Sequence, residues 1–293
     1  MTETHERDYR RRIEEISSSF LPGTSIEVIC DSRGDQPPAY ALFDFDGTLS
    51  LVREGWVEVM VPMMVEILSE TGTGESPGQL GKICREFVDE LTGKQTIYQM
   101  IRLVEEVRQR GGRPADALEY KQLYHDRLME RIAGRRDRLR RGEASPESML
   151  VPGSLEMLRG LIDRGVTLYL ASGTDAAYVR EEAELLAIDG FFGPRIYGAV
   201  DDFQSFSKQM VIERLLEENR VDGARLVGFG DGYVEIDNVK TAGGSAVGVA
   251  TDESNRNGRV DAWKRERLAG VGADVIVPDF GEAAALLSWL WCE

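Results

Sequence analysis

Ala39-Tyr40-Ala41-Leu42-Phe43-Asp44-Phe45-Asp46-Gly47-Thr48-Leu49 is the stretch that decides the fold. An apolar run from Ala39 to Phe43, bounded by Pro38 and by an Asp-Gly-Thr turn, reads as a buried parallel strand. In open parallel sheets, ligands bind at the carboxyl ends of the strands, which is where Asp44 and Asp46 fall. Acidic residues are ordinary in turns. Two of them at the end of an apolar strand are less so, because like charges at close range repel unless a cation or a proton intervenes. The pattern therefore points to a bound divalent metal.

Downstream, from Arg53 to about Leu150, the pattern is helical. Leu80, Ile83, Cys84, Phe87, Val88 and Leu91 recur at helical spacing, as do Ile97, Ile101 and Val104, and then Leu123, Tyr124, Leu128 and Ile132. Gly-rich breaks at TGTGESPG, LTGK and RGGRP separate these helices. Beyond Pro152 strands and helices alternate. Strands are predicted at Val166–Ala171, Arg195–Tyr197, Leu226–Phe229, Ala246–Val249 and Val275–Val277. Helices are predicted around Ser154–Asp163, Ala176–Ala187, Lys208–Asn219, Tyr233–Ala242, Val260–Leu268 and Glu282–Leu290. Such alternation implies an α/β fold with a Rossmann-like parallel sheet covered on both faces. One strand precedes an all-helical insert of roughly 100 residues, a small-domain size. The expected division is an extension at 1–38, a core at 39–52 and 150–293, and a helical insert at 53–149. The extension holds a polar helix candidate, a short strand at Ile26–Cys30 and a turn-rich DSRGDQPP. Its composition leaves open whether it covers the core, mediates association or is partly disordered, and oligomeric state is equally open.

Composition narrows the chemistry. Lysine plus arginine total 35 against 51 acidic residues, a net charge of −16, which argues against a nucleic-acid partner. The one basic cluster, Arg135 to Arg141, reads as a solvated helix end, with a phosphate-steering patch as the alternative. Nothing approaches the ~18 apolar residues of a membrane span. The charged N-terminus lacks a secretory signal pattern, and the three scattered cysteines read as reduced thiols, so a cytoplasmic location is expected. With only His5 and His125, a Ser-His-Asp triad or a histidine-rich metal site is hard to build. Carboxylates are left to do the work. No Walker-type loop, GxGxxG or cysteine-phosphatase loop occurs.

Three further stretches complete a set. Leu168-Tyr169-Leu170-Ala171-Ser172-Gly173-Thr174 ends an apolar strand in a hydroxyl residue; Lys208 opens a helix in SFSKQMVIERLL; and Gly230-Asp231-Gly232-Tyr233-Val234-Glu235 follows another strand. Together with the DxDGT stretch, in this order, they resemble the haloacid dehalogenase-like superfamily over nearly all of the chain beyond residue 38. The resemblance is to its phosphatases with a helical cap of the C1 type, phosphoglycolate phosphatase among them. It implies Asp44 as nucleophile, forming an aspartyl-phosphate, and Asp46 as general acid and base. It implies Mg²⁺ held by Asp44, the backbone carbonyl of Asp46 and Asp231, with Glu235 as a nearby or water-mediated metal contact and Asp237 as its alternate. Ser172, Gly173 and Thr48 would hold phosphoryl oxygens, and Lys208 would offset transition-state charge.

Within that family Asp46 is diagnostic. Dehalogenases lack an acid at this position and transport ATPases resemble DKTGT, whereas phosphatases and phosphomutases carry DxD. A small phosphorylated metabolite (sugar, polyol or organic acid phosphate) is the expected partner. A sugar phosphomutase and a non-catalytic phosphate-ligand-binding protein are the alternatives. The insert resembles a cap that closes over substrate and selects the leaving group. Arg53 and Lys94 are the candidate substrate contacts there, with plain linker chemistry as the other reading.

Overall fold

The computed structural model describes residues 8–31, 33 and 36–293. In chain order, β1 (Ser19–Phe20), β2 (Glu27–Val28) and β3 (Tyr40–Phe43) precede four long helices, α1 (Val57–Ser69), α2 (Pro77–Leu91), α3 (Thr96–Gln109) and α4 (Ala117–Arg140). A 3₁₀ turn at Pro146–Met149 leads back to α5 (Ser154–Asp163), β4 (Thr167–Asp175), α6 (Ala176–Leu185), α7 (Asp189–Phe192) and β5 (Ile196–Ala199). The remainder is α8 (Lys208–Asn219), β6 (Leu226–Gly230), α9 (Tyr233–Thr241), β7 (Ser245–Val249), α10 (Ala262–Gly270), β8 (Val275–Val277) and α11 (Ala283–Trp291).

The described strands form one sheet in the order β1-β2-β8-β7-β6-β3-β4-β5. All contacts from β8 through β5 are parallel. The strand that carries Asp44 is therefore central, flanked by β6 and β4, and its carboxyl end opens beside those of the strands leading to Asp231 and Ser172. Period-2 alternation divides its side chains between two cores. Ala41 and Phe43 face one cluster, with Phe43 stacked on its register partner Phe229 at 4.4 Å and edge-on to Phe280 at 6.3 Å. Leu42 faces the other, with Val211, Leu215 and Ile236.

The insert is held by its own amphipathic packing and by local caps. Ser76 and Gln79 form a reciprocal capping box at the start of α2, with Pro77 in its first turn, and Asp116 caps α4. The basic cluster near the end of α4 is not simply a solvated helix end. Arg135 donates to the carbonyls of Val52 and Glu54 at 2.9 and 2.7 Å, and Arg136 and Arg140 pair with Glu181, so arginines clamp the insert onto the core.

The extension differs from expectation in its first half. No helix spans residues 8–18; His5 and the start of the helix candidate lie outside the described residues, as do three positions of the DSRGDQPP turn. The reason is tertiary. The Arg12 and Ile13 N–H groups donate to the Gly270 carbonyl, Arg11 pairs with Glu266 and Tyr9 stands edge-on to Tyr233, contacts that an extended chain can reach along α9 and α10. β2 then pairs antiparallel with β8, within the Ile26–Cys30 segment expected to be extended.

Candidate active site

The turn after β3 is folded by its own backbone. The N–H groups of Thr48, Leu49 and Ser50 all point at the Phe45 carbonyl, and the Gly47 N–H donates to that of Ser50 at 2.9 Å. Gly47 sits at φ +74°, and a Cβ there would come within 2.2 Å of the Asp231 carboxylate. Only glycine permits both the left-handed backbone and that approach.

Asp44 is buried at the strand end, its N–H donating to the Phe229 carbonyl. Lys208, opening α8 behind the Ser207 cap, donates from Nζ to Asp44 Oδ1 at 2.8 Å and pairs at the same time with buried Glu235. Burial pushes the Asp44 carboxyl up to about 6; the Lys208 ammonium pulls it down and the Asp231 charge pushes it further up. Asp46 Oδ2 accepts from Thr174 Oγ1 at 2.9 Å, while its Oδ1 lies 3.7 Å from Arg53 Nε. Burial, opposed by Arg53 and reinforced by Glu182 and Asp44, pushes Asp46 up to about 7.

These groups line one cavity with an empty volume of about 740 Å³ counted to its open mouth. Asp44, Asp46, Arg53, Lys94, Ser172, Gly173, Lys208 and Asp231 all contribute to its wall. Thr48 does not. It is completely buried, and its hydroxyl accepts the Asp231 N–H at 2.9 Å, tying two loops together instead of facing a phosphate. Glu235 turns to Lys208, and Asp237 pairs with Arg12 of the extension. Arg53 reaches the cavity with its guanidinium edge already engaged, donating to both Glu182 oxygens at 3.0 and 2.9 Å. Lys94 Nζ donates to Asp8 Oδ1 at 2.7 Å and lies 5.3 Å from the Tyr98 ring.

Several residues at or beside the cavity escaped sequence reasoning. Lys264 donates to Asp231 Oδ2 at 2.7 Å and to Glu253 Oε1 at 2.8 Å, a cation between two acids beside the cavity. It is a first-turn lysine, on the unfavourable end of a helix dipole like Lys208, which was a usable signal. Glu253 lies on the loop that follows β7, where the rule of ligands at strand ends applies. Thr174 extends β4 past Ser172. Glu182 and Gln99, on helices far apart in sequence, gave no signal.

The donor set fits a hard divalent cation. The carboxylates of Asp44 and Asp231 with the Asp46 carbonyl are all oxygen, and the missing Cβ of Gly47 keeps Asp231 against that turn. Among the described residues, no group of three or more His, Cys, Asp or Glu side chains could hold a metal alone.

The insert meets the core at this cavity. The loop between α2 and α3 lies against both strand-end loops, with Gly93 opposite Gly232 and the Lys94 carbonyl opposite Gly173, and Gln95 donates to the carbonyls of Phe203 and Phe206. Among the described residues no helix is long and apolar enough to cross a membrane.

Comparison with known proteins agrees with this architecture. No curated protein matches the chain significantly. Among solved structures, similar folds include a predicted phosphoglycolate phosphatase from Haemophilus somnus 129pt, at TM-score 0.53 and 18% identity, covering 86% of this chain and 99% of that one. A haloacid dehalogenase family hydrolase from Deinococcus radiodurans R1, with bound phosphate and sodium, gives 0.52 and 17%, covering 87% and 97%. A β-phosphoglucomutase from Clostridium difficile gives 0.56 and 11%, covering 86% and 97%. At these identities the likeness concerns the fold. The family model for haloacid dehalogenase-like hydrolases matches residues 39–243, more than half of the sequence, and the chain therefore belongs to that family.

Proposed function

We propose that the protein is a phosphomonoester hydrolase that works through Asp44, acting on a small phosphorylated metabolite with Mg²⁺ as cofactor. The observation that carries this reading is the presence of two carboxylates with different partners at one cavity. Asp44 accepts from the Lys208 ammonium at 2.8 Å, while Asp46, two residues on, accepts from the Thr174 hydroxyl at 2.9 Å, and burial pushes both up, to about 6 and about 7. A nucleophile needs its negative charge kept, and a general acid needs a proton to give near neutrality.

In the first step Asp44 Oδ attacks phosphorus and the bond to the ester oxygen breaks. Asp46 passes its proton to the departing alkoxide, leaving an alcohol and a phosphoryl group on Asp44. In the second step Asp46, now ionised, takes a proton from water as that water attacks phosphorus. The bond to Asp44 breaks, and inorganic phosphate leaves with Asp46 protonated again. Thr174, donating to Asp46 Oδ2, orients the proton carrier. Lys208, anchored by Glu235, stays with Asp44 and offsets charge on the transferring group. Bound at Asp44, the Asp46 carbonyl and Asp231, Mg²⁺ would supply charge neutralisation at the phosphoryl oxygens. We take the insert formed by α1 to α4 as a cap that excludes water and selects the alcohol.

The test is phosphate release from a panel of phosphorylated metabolites, with Mg²⁺ and with EDTA, alongside Asp44→Asn. Metal-dependent release that disappears in the variant is expected. An isomerised ester in place of free phosphate would turn the reading to a mutase, and neither product would leave a binding protein.

A further inference from the structure

Gln99 projects from α3 of the insert and lines the cavity, although only 3% of it is exposed. Its Nε2 donates to the Leu91 carbonyl at 3.3 Å. Leu91 is the last residue of α2, where carbonyls have no partner within the helix, and its carbonyl accepts the Lys94 N–H of the following loop as well as this amide. That bond fixes which way the amide lies: nitrogen to the helix end, oxygen to the opposite side. The oxygen, Oε1, is buried and meets no hydrogen-bond partner among the described residues. Buried acceptors are normally satisfied. An O–H from a ligand in the cavity would satisfy this one.

Among the described residues three cations line the cavity, and each is paired with a carboxylate: Lys208 with Asp44 and Glu235, Arg53 with Glu182, and Lys94 with the largely exposed Asp8, while Asp46, Asp231 and Glu253 add further acids to the wall. A leaving group carrying its own carboxylate or second phosphate would therefore have to displace one of these acids from its cation, beside the further acids of the wall, in a chain of net charge −16. Trp56, Met60 and Tyr124 add an apolar and aromatic wall, which suits the carbon faces of a neutral ligand.

We propose that the substrate is the phosphate ester of a neutral, polyhydroxylated alcohol, and that Gln99 selects it by accepting a hydrogen bond from one of its hydroxyl groups. This rests on the phosphatase reading and narrows it, setting aside phosphorylated acids and bisphosphates. A site built to bond a hydroxyl discriminates strongly against an analogue that lacks it, and here the preference should reach at least about 100-fold in kcat/KM.

The experiment compares three sets of esters with the full-length protein and Mg²⁺: three- to six-carbon polyol and sugar phosphates, alkyl phosphates of the same chain lengths, and phosphates of small hydroxy acids. The best polyol or sugar ester should exceed the best member of either other set by about 100-fold. In Gln99→Met, which keeps the length and loses the acceptor, that preference over alkyl esters should fall to a few-fold. An alkyl or carboxylated ester matching the best polyol ester in the wild-type protein overturns the inference while the hydrolase reading stands, and this holds whether or not the variant folds. A preference unchanged in folded Gln99→Met removes Gln99 from the role. Release from no ester at all overturns the hydrolase reading and the inference with it.

Discussion

Replacing either member of the Arg53–Glu182 pair should cost far more than replacing both. Arg53 enters from the turn after β3 and Glu182 from α6, with side chains 5% and 0% exposed, and two hydrogen bonds of 3.0 and 2.9 Å join them edge to edge. Burial alone would lower the Arg53 pKa, but the Glu182 and Asp46 charges outweigh it and the group stays firmly charged. In Glu182→Leu that charge keeps only the longer contact to Asp46 at 3.7 Å, and in Arg53→Met the Glu182 carboxylate loses its partner instead. Leaving one buried ion without its partner costs about 3–5 kcal/mol, whereas substituting both by apolar residues of similar volume is close to neutral. At 1.4 kcal/mol per tenfold, each single variant should lower the folded-to-unfolded ratio by about 100-fold or more. With a urea slope near 3 kcal/mol/M, its midpoint falls by ~1–2 M. The double variant should return to within about 1 kcal/mol of wild type, giving a coupling of at least ~5 kcal/mol. Urea unfolding followed by both circular dichroism and tryptophan fluorescence measures all four proteins, and coincident transitions justify a two-state treatment. Single variants within about 0.5 kcal/mol of wild type, with an additive double, would refute the argument that this pair is a dry, interdependent unit.

Three further outcomes are expected. His125, packed near Asp175, Lys121, Asp126 and Arg53, is depressed to about 4, chiefly by burial, against the attraction of Asp175. Below pH 6.5 the unfolded imidazole takes up a proton that the folded one refuses. Stability should therefore fall by ~2 kcal/mol between pH 7 and 5, and by ~3 near pH 4. Comparing urea midpoints of wild type and His125→Gln isolates this slope, and parallel pH profiles would contradict it. Lys264 competes for Asp231, so Lys264→Met should tighten Mg²⁺ binding by about tenfold, ~1.4 kcal/mol, in titration calorimetry. Weaker binding would mean that Lys264 instead positions Asp231. Gly47→Ala, which puts a Cβ 2.2 Å from the Asp231 carboxylate at a positive φ, should abolish phosphate release and lower stability by at least ~1 kcal/mol. An active, equally stable variant would show that the two loops need not approach so closely.

How much of this was legible differs by kind of residue. The alternating half of the chain could be read because each strand and helix there is a local pattern, and observed elements such as β6 and α8 begin where the pattern predicts. The sheet order was open to reading only as a parallel class. Asp44, Asp46, Ser172, Lys208 and Asp231 stand at the carboxyl ends of strands or open a helix, and such positions follow from local spacing. Thr48 belongs to the same motif, yet its hydroxyl turned out to be spent on the Asp231 N–H. The choice between Glu235 and Asp237 was equally beyond the sequence. Both are acids on α9, and which one meets Lys208 depends on the face of the helix turned to α8. The polar helix expected near the N-terminus failed for a related reason. Helix propensity is a weak preference, and along residues 8–18 the pairing partners offered by α10 and its Gly270 carbonyl outcompete it.

By itself the sequence determined the α/β class, the helical insert after the first core strand, and a cluster of acids at the strand ends. Each of these rests on neighbours a few residues apart, whose periodicity fixes which side is buried. Only the tertiary structure decided which charges meet. Arg53 finds Glu182 from 129 positions away, Lys264 finds both Asp231 and Glu253, and Gln99 of the insert donates to the Leu91 carbonyl beside a cavity whose other wall belongs to the core. Periodicity states that a face is buried but not against what, and the energy of a buried charge depends on that partner.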